Sequence, residues 1–251
     1  HLVTVSTCYV AGSRRGRVPE EPVDASAFFV DVDWRGEVDA ARRIRLDTET
    51  ESRTPGNLKG FRSEAHGELG AAGIPSLAAK TEQLRCRWVD DKMAEAGVAR
   101  ATSLGFPDAY AFTKALGEIA VAESAGDVPI SVVRPSIIES AHSEPSPGWI
   151  RGFRMAEPVI ISYARGLLKE FPGVPEGTVD VIPVDFVVAA ICAVAARGPL
   201  GPDEGADIVQ VASGSVNPLQ YGHLVDMVRE WFTEHPIYDE MGQPITVPQW
   251  S

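Results

Sequence analysis

Tyr110 and Lys114 are the two residues whose types and spacing point most directly to chemistry. They stand four positions apart, a spacing that places two side chains on one face of a helix. A phenol ionises at about pH 10, too high for easy proton exchange near neutrality, but a neighbouring ammonium stabilises the phenolate and makes the phenol a better acid. Tyr110 could then protonate a carbonyl oxygen while hydride reaches the carbonyl carbon. Alone the pair is a weak signal, because a solvated Lys and a half-buried Tyr share this spacing on many helices.

Hydroxyl residues end the predicted strands that precede and follow this helix. Ser6 and Thr7 come late in an apolar, β-branched stretch, and Pro135 and Ser136 follow a second buried strand. In a parallel sheet, ligands bind beyond the carboxyl ends of the strands. Both strand ends and the Tyr110 helix can therefore meet at one crevice, where a hydroxyl of Ser6 or Thr7 would hold the carbonyl oxygen.

Helices and short apolar strands alternate along the chain. Strands are predicted at 2–10, 129–134, 179–184 and 207–212. Helices are predicted at 36–47, 76–96, 107–124, 185–197 and 218–233. Gly97 is expected to end the second helix, and Pro218 to lie in the first turn of the last. Residues 52–63 and 141–149 are rich in Gly, Pro or Ser and are predicted as loops. This alternation is typical of an α/β protein with a parallel sheet.

The composition argues against several other classes of protein. The chain has 251 residues, of which 44 % are apolar, enough for a hydrophobic core. Its net charge of −12 disfavours nucleic-acid binding, and we expect no nucleic-acid partner. The three Cys form no CxxC pair and the five His never stand four apart, so neither a disulfide framework nor a metal site is expected. No apolar run is long enough to span a bilayer, and a cytoplasmic location is expected.

Six segments carry a resemblance to one family. They are VSTCYV at 5–10, YAFTKALGE at 110–118, SVVRPSIIES at 131–140, EPSPGWI at 144–150, DVIPVDFVV at 180–188 and SGSVNPL at 213–219. In these segments the chain resembles the fatty acyl-CoA reductases, the male-sterility-type members of the extended short-chain dehydrogenase/reductases. The resemblance implies an α/β fold with a partial doubly wound, Rossmann-like parallel sheet. It also implies a C-terminal substrate-binding subregion at 141–251.

The same resemblance assigns roles to individual residues. It implies NADPH as cofactor and a long-chain acyl-CoA as substrate, reduced to fatty aldehyde or fatty alcohol. Thr7 would orient the carbonyl, Tyr110 would donate the proton, and Lys114 would assist Tyr110 and bond the nicotinamide ribose. The expected cofactor-binding residues are Ser6, Tyr110, Lys114, Pro135, Ser136 and Ile137. The resemblance leaves open a peripheral contact with a membrane and gives no oligomeric state.

Two features depart from the family pattern. The Gly-rich turn that cradles phosphates has no counterpart, since no GxxGxxG occurs in the sequence. The second departure is length: Thr7 and Tyr110 stand 103 positions apart, so a helical insertion is expected at 31–105. The chain opens at His1 and enters an apolar stretch at once. We therefore expect a fragment that lacks the N-terminal half of the dinucleotide-binding domain and is inactive by itself.

Two other functions remain as alternatives. One is another extended reductase, such as a carrier-bound thioester reductase or a sugar-nucleotide epimerase, although the EPSPGWI segment favours acyl-CoA over sugar. The other is a non-catalytic Rossmann-like binding module. The presence of Thr7, Tyr110 and Lys114 together argues against that module.

Overall fold

The structure is a computed structural model that describes residues 1–14, 16–26, 31–70, 73–152, 156–168, 173–201 and 207–248. Its strands, in chain order, are β1 (Leu2–Val5), β2 (Ile130–Pro135), β3 (Ile137–Glu139), β4 (Thr178–Val179), β5 (Val181–Pro183), β6 (Asp207–Val211) and β7 (Leu219–Gln220). Its α-helices are α1 (Trp34–Ser52), α2 (Pro55–Leu69), α3 (Ile74–Ser103), α4 (Ala109–Ser124), α5 (Glu157–Ala164), α6 (Val184–Arg197) and α7 (Tyr221–Glu234). In the described part of the chain, none of the helices combines the length and the apolar character that crossing a membrane requires.

A parallel sheet of three strands forms the centre of the molecule, in the order β1-β2-β6. Val5 lies beside Val133 and Pro135 beside Val211, so the carboxyl ends of the three strands meet at one edge. Helix α6 packs across all three strands, and its terminal Arg197 pairs with Asp207 at the start of β6. The expected α/β fold with a parallel sheet is confirmed.

Two smaller strand pairs extend from this edge. Strand β3 follows β2 after one residue and runs parallel to β5, while β4 and β7 pair antiparallel. Farther along the chain, α5 and α7 pack together around Tyr163, Val228 and Val247. The Tyr163 hydroxyl donates to the Pro248 carbonyl at 2.9 Å and fastens the C-terminal segment to α5.

Three consecutive helices, α1 to α3, lie between β1 and α4. Asp33 caps α1 by accepting the amides of Arg35 and Gly36. Helices α2 and α3 pack through Phe61, Ala65 and Leu84. An ion pair between Glu37 near the start of α1 and Arg100 near the end of α3 joins the two ends of this three-helix segment. All three helices lie within residues 31–105, and their identity as an insertion stays a prediction.

The predicted loop at 52–63 is wrong, because α2 begins at Pro55. Proline at the first helical position loses no intrahelical hydrogen bond, since that amide has no helical partner. The burial of Phe61 against α3 then stabilises a helix that contains Gly56 and Gly60. The loop predicted at 141–149 is confirmed: in that segment the structure has neither helix nor strand.

Three predicted boundaries also differ from the structure. Gly97 does not end α3, which continues to Ser103; a Cβ there would make an ordinary van der Waals contact with Ala109 of α4, at 3.5 Å. The first strand ends at Val5 and not at residue 10, because the chain turns into a 3₁₀ helix at Cys8–Ala11. Pro218 precedes a short strand, β7, and the last helix begins only at Tyr221.

Candidate active site

Thr7 and Ser6 lie at the carboxyl end of β1, and both are buried. The Thr7 hydroxyl accepts the amide of Tyr9 at 3.2 Å and thereby caps the 3₁₀ helix. The same hydroxyl donates to the carbonyl of Pro135 at 3.5 Å, a long hydrogen bond. Its hydrogen can therefore turn from Pro135 to a substrate oxygen with little loss. This hydroxyl joins the tips of β1 and β2.

Tyr110 and Lys114 lie in the first half of α4, whose start is fixed by Asp108. The Asp108 carboxylate accepts the amide of Ala111 at 2.7 Å, which satisfies one of the unpaired amides of the first turn. The Lys114 ammonium donates to the carbonyl of Val5 at 3.2 Å, two residues before Thr7. Tyr110 lies one turn earlier on the same face, and it is 54 % exposed. The Lys114 contact therefore brings the Tyr-Lys face of α4 to the end of β1.

A second tyrosine lies near Tyr110. Tyr9 is 42 % exposed, and its pKa is raised by partial burial and by the negative charges of Asp108 and Asp180, with a smaller contribution from Tyr110 itself. Tyr9 thus holds its proton more firmly than an ordinary phenol. Sequence reasoning missed Tyr9, although its position two residues after Thr7 was a usable signal.

The buried hydroxyls of Ser6 and Ser136 have no hydrogen-bond partner in the described part of the chain. A buried hydroxyl without a partner is unfavourable, which makes such atoms candidates for contacts with a bound molecule. Both occupy the carboxyl edge of the sheet, where a dinucleotide would lie. The donor set therefore fits a nicotinamide cofactor with Ser6 and Ser136 as contacts.

The backbone groups of the remaining cofactor candidates, Pro135 and Ile137, are hydrogen-bonded within the protein, as is the amide of Ser136. The amide of Ser136 donates to the carbonyl of Val211 at 3.0 Å, and the amide of Ile137 donates to the carbonyl of Asp180 at 3.0 Å. The carbonyl of Pro135 accepts the Thr7 hydroxyl. Among the residues that the structure describes, the Ser136 hydroxyl has no hydrogen-bond partner at this strand end.

Cys8 is not arranged as a nucleophile. Its thiol donates to the carbonyl of Arg134 at 3.1 Å, and burial raises its pKa to about 11, with a further increase from the charge of Asp180. The thiol therefore stays protonated near neutrality, and it is the thiolate that would react.

Two aspartates fasten the loops around the site. Asp180 accepts the amides of Ser213 and Gly214 at 2.9 and 3.0 Å, just beyond the end of β6. Asp185, in the first turn of α6, accepts three consecutive amides of the 142–144 loop. Those hydrogen bonds lower the Asp185 pKa to about 2. In the sequence Asp185 is only the first residue of the helix predicted at 185–197, and no local signal indicates its hydrogen bonds to this loop.

The structure therefore brings the Lys114 ammonium to the edge of the parallel sheet where the buried Thr7 hydroxyl lies, and Tyr110 stands one helical turn from Lys114 on the same face of α4. Such a set can hold and protonate a carbonyl oxygen while another group supplies hydride. Among the described residues, no cluster of three or more His, Cys, Asp or Glu side chains could hold a metal ion.

Comparisons with known proteins give a consistent result. The NAD-binding family model described as "Male sterility protein" matches residues 1–191. "Fatty acyl-CoA reductase 2, chloroplastic" of Arabidopsis thaliana is 34 % identical over 249 residues, 98 % of this chain and 36 % of the relative. "Alcohol-forming fatty acyl-CoA reductase" of Simmondsia chinensis is 32 % identical over 247 residues, 98 % of this chain and 44 % of the relative. The chain thus spans less than half the length of these curated relatives.

Proposed function

We propose that this chain, which belongs to the male sterility protein family, carries the carbonyl-reducing site of an NADPH-dependent fatty acyl-CoA reductase. The names of its relatives support the substrate class, and the family supports a nicotinamide cofactor. The observation that carries the proposal is the hydrogen bond from Lys114 to Val5, because it links the Tyr110 helix to the strand that ends at Thr7.

Each of the three side chains has a distinct task in the proposed reaction. The nicotinamide, when bound, supplies hydride to the thioester carbon. Thr7 donates a hydrogen bond to the carbonyl oxygen as negative charge develops there. Tyr110 donates its proton to that oxygen, and the Lys114 ammonium stabilises the phenolate that remains. The resulting hemithioacetal loses CoA as its thiol, which leaves an aldehyde. A second reduction by the same groups would give the alcohol.

We also propose that this site uses NADPH and not NADH, and that its acyl-CoA substrates carry long acyl chains. Ser6 and Ser136 would hold the cofactor, since their buried hydroxyls have no partner within the described residues. Residues 141–251 would hold the acyl-CoA. A peripheral membrane contact, which would suit a long-chain substrate, stays a prediction.

The proton donor is tested in the full-length protein, by replacing one tyrosine at a time with phenylalanine. Tyr110→Phe should lower kcat for NADPH oxidation with palmitoyl-CoA by about 10²–10⁴-fold, the usual contribution of a general acid. Tyr9→Phe should have a much smaller effect, because the Tyr9 phenol holds its proton more firmly.

A loss below tenfold in Tyr110→Phe, or a larger loss in Tyr9→Phe, would show that Tyr110 is not the donor. Lys114→Ala should lower the rate and also weaken NADPH binding, measured by fluorescence titration. A protein that binds NADPH and turns over no acyl-CoA or carrier-bound thioester would support the alternative of a binding module.

A further inference from the structure

We propose that Glu118 and Arg134 are positioning residues for this site, and that their buried ion pair sets the placement of Tyr110 and Lys114 against the ends of β1 and β2. The inference rests on the proposed function. Glu118 follows Lys114 by four residues in α4, just as Lys114 follows Tyr110. The three side chains therefore form one continuous stripe along the helix.

The pair is buried and doubly hydrogen-bonded. Arg134 is 2 % exposed and Glu118 is 9 % exposed. The guanidinium Nε donates to Oε1 of Glu118 at 3.0 Å, and Nη2 donates to Oε2 at 2.6 Å. Two parallel hydrogen bonds between planar groups fix orientation as well as distance. The fork therefore fixes the orientation of Glu118 relative to Arg134 more tightly than a single hydrogen bond would.

Arg134 is also attached to the other parts of the site. Its carbonyl accepts the Cys8 thiol at 3.1 Å, and the next residue, Pro135, accepts the Thr7 hydroxyl. The backbone that carries the guanidinium is thus held directly to the segment that follows β1. Any movement of α4 relative to Arg134 is therefore a movement of Tyr110 relative to Thr7.

Helix α4 is consequently tied to the sheet at two points one turn apart. Lys114 reaches the carbonyl of Val5 at the end of β1, and its hydrogen bond is solvent-exposed. Glu118 reaches Arg134 at the end of β2, out of contact with water. Helix α4 also packs through Ala111, Phe112 and Ala115. Of its two polar contacts with the sheet, the exposed lysine contact is the more flexible, so the buried fork is the one that can hold the phenol in register.

A buried ion pair of this kind is not needed for stability. The penalty for removing two charges from water offsets much of their attraction, and apolar replacements of similar volume are often neutral or stabilising. A single substitution, by contrast, leaves one buried charge without its partner and can prevent folding. The informative variant is therefore the double one, Glu118→Met with Arg134→Met.

This double variant should separate position from stability. Its melting temperature should equal or exceed that of the wild type, its KM for palmitoyl-CoA should be unchanged, and its kcat should fall by about 10²-fold, the loss that a misplacement near 1 Å produces. The matched control is Arg35→Met with Glu123→Met. That pair also joins α4 to another helix, α1, but it is exposed to solvent. Its removal should therefore leave kcat and KM unchanged.

A double variant that folds and keeps kcat within twofold of the wild type would overturn the inference. So would a fall in kcat that the control pair reproduces. If the wild type binds NADPH but reduces no acyl-CoA, the proposed function fails by itself. The inference is then decided by the Kd for NADPH. The Glu118→Met, Arg134→Met variant should raise this Kd about tenfold, because Lys114 would be displaced from the cofactor. An unchanged Kd would overturn it.

Discussion

Two substitutions at Thr7 separate its contribution to the stability of the fold from its proposed hydrogen bond to the substrate carbonyl oxygen. Thr7→Val removes the hydroxyl that caps the 3₁₀ helix through the amide of Tyr9, and the loss of a cap lowers stability by about 1 kcal/mol. Thr7→Ser keeps that hydroxyl but removes one methyl from a residue that is only 3 % exposed, a loss of about 0.8 kcal/mol. Both variants should therefore melt roughly 2–4 °C below the wild type, the shift that ~1 kcal/mol gives in a chain of this size.

The rates of the two variants should differ although their stabilities do not. Thr7→Val should lower kcat by about 10²–10³-fold, the usual result of removing one donor to a developing oxyanion. Thr7→Ser should remain within about tenfold of the wild type, because the donor is retained. The assay is NADPH oxidation at saturating palmitoyl-CoA with the protein as encoded, alongside thermal unfolding. Equal rate losses in both variants, or a full rate in Thr7→Val, would refute the assignment of this hydroxyl to the carbonyl oxygen.

Three further outcomes are expected. The Asp185 pKa is lowered from 3.8 to about 2 by loop amides, so its contribution to stability is complete above pH 4 and is lost as the pH falls toward 2. Melting curves of the wild type and Asp185→Asn should converge over that range, and a constant gap would contradict this. The pKa of the Cys8 thiol is raised to about 11. At pH 7.5 Cys8 should therefore be alkylated far more slowly than the exposed Cys86 and Cys192, as measured by mass spectrometry. Equal rates would show that the Cys8 thiol is not shielded as described. Gly12 has a φ of 65° and faces a carbonyl oxygen 3.2 Å from where a Cβ would lie, so Gly12→Ala should lose about 1–3 kcal/mol in urea unfolding. An unchanged midpoint would argue against that strain.

The elements nearest the site could be predicted because their signals are local. Helix α4 shows helical spacing after a capping Asp108, and β2 is a short apolar run closed by Pro135. The parallel sheet then follows from the alternation of such segments. The meeting of two strand ends with α4 could likewise be expected, since parallel strands place their carboxyl ends at one edge.

What could not be predicted depends on partners distant in the sequence. Helix α2 contains glycines typical of a loop, and its stability depends on the packing of Phe61 against α3. The fork between Glu118 and Arg134 joins a helix to a strand, and neither residue type predicts a buried partner by itself, because charged side chains are mostly exposed. The hydrogen bonds of Asp185 could not be predicted, because its three loop amides lie more than forty positions earlier in the sequence.

The ion pair between Glu37 and Arg100 has a consequence for how this enzyme family can vary in evolution. It closes the three-helix segment on itself, so the chain leaves the sheet after Thr7 and returns before Tyr110 at nearly the same place. An excursion whose ends are clamped together can be lengthened, trimmed or exchanged with little strain on its anchor points, since the entropy of closing a loop changes slowly with its length. The proposed reacting groups, 103 positions apart in sequence, can thereby lie close together whatever the length of the segment between them.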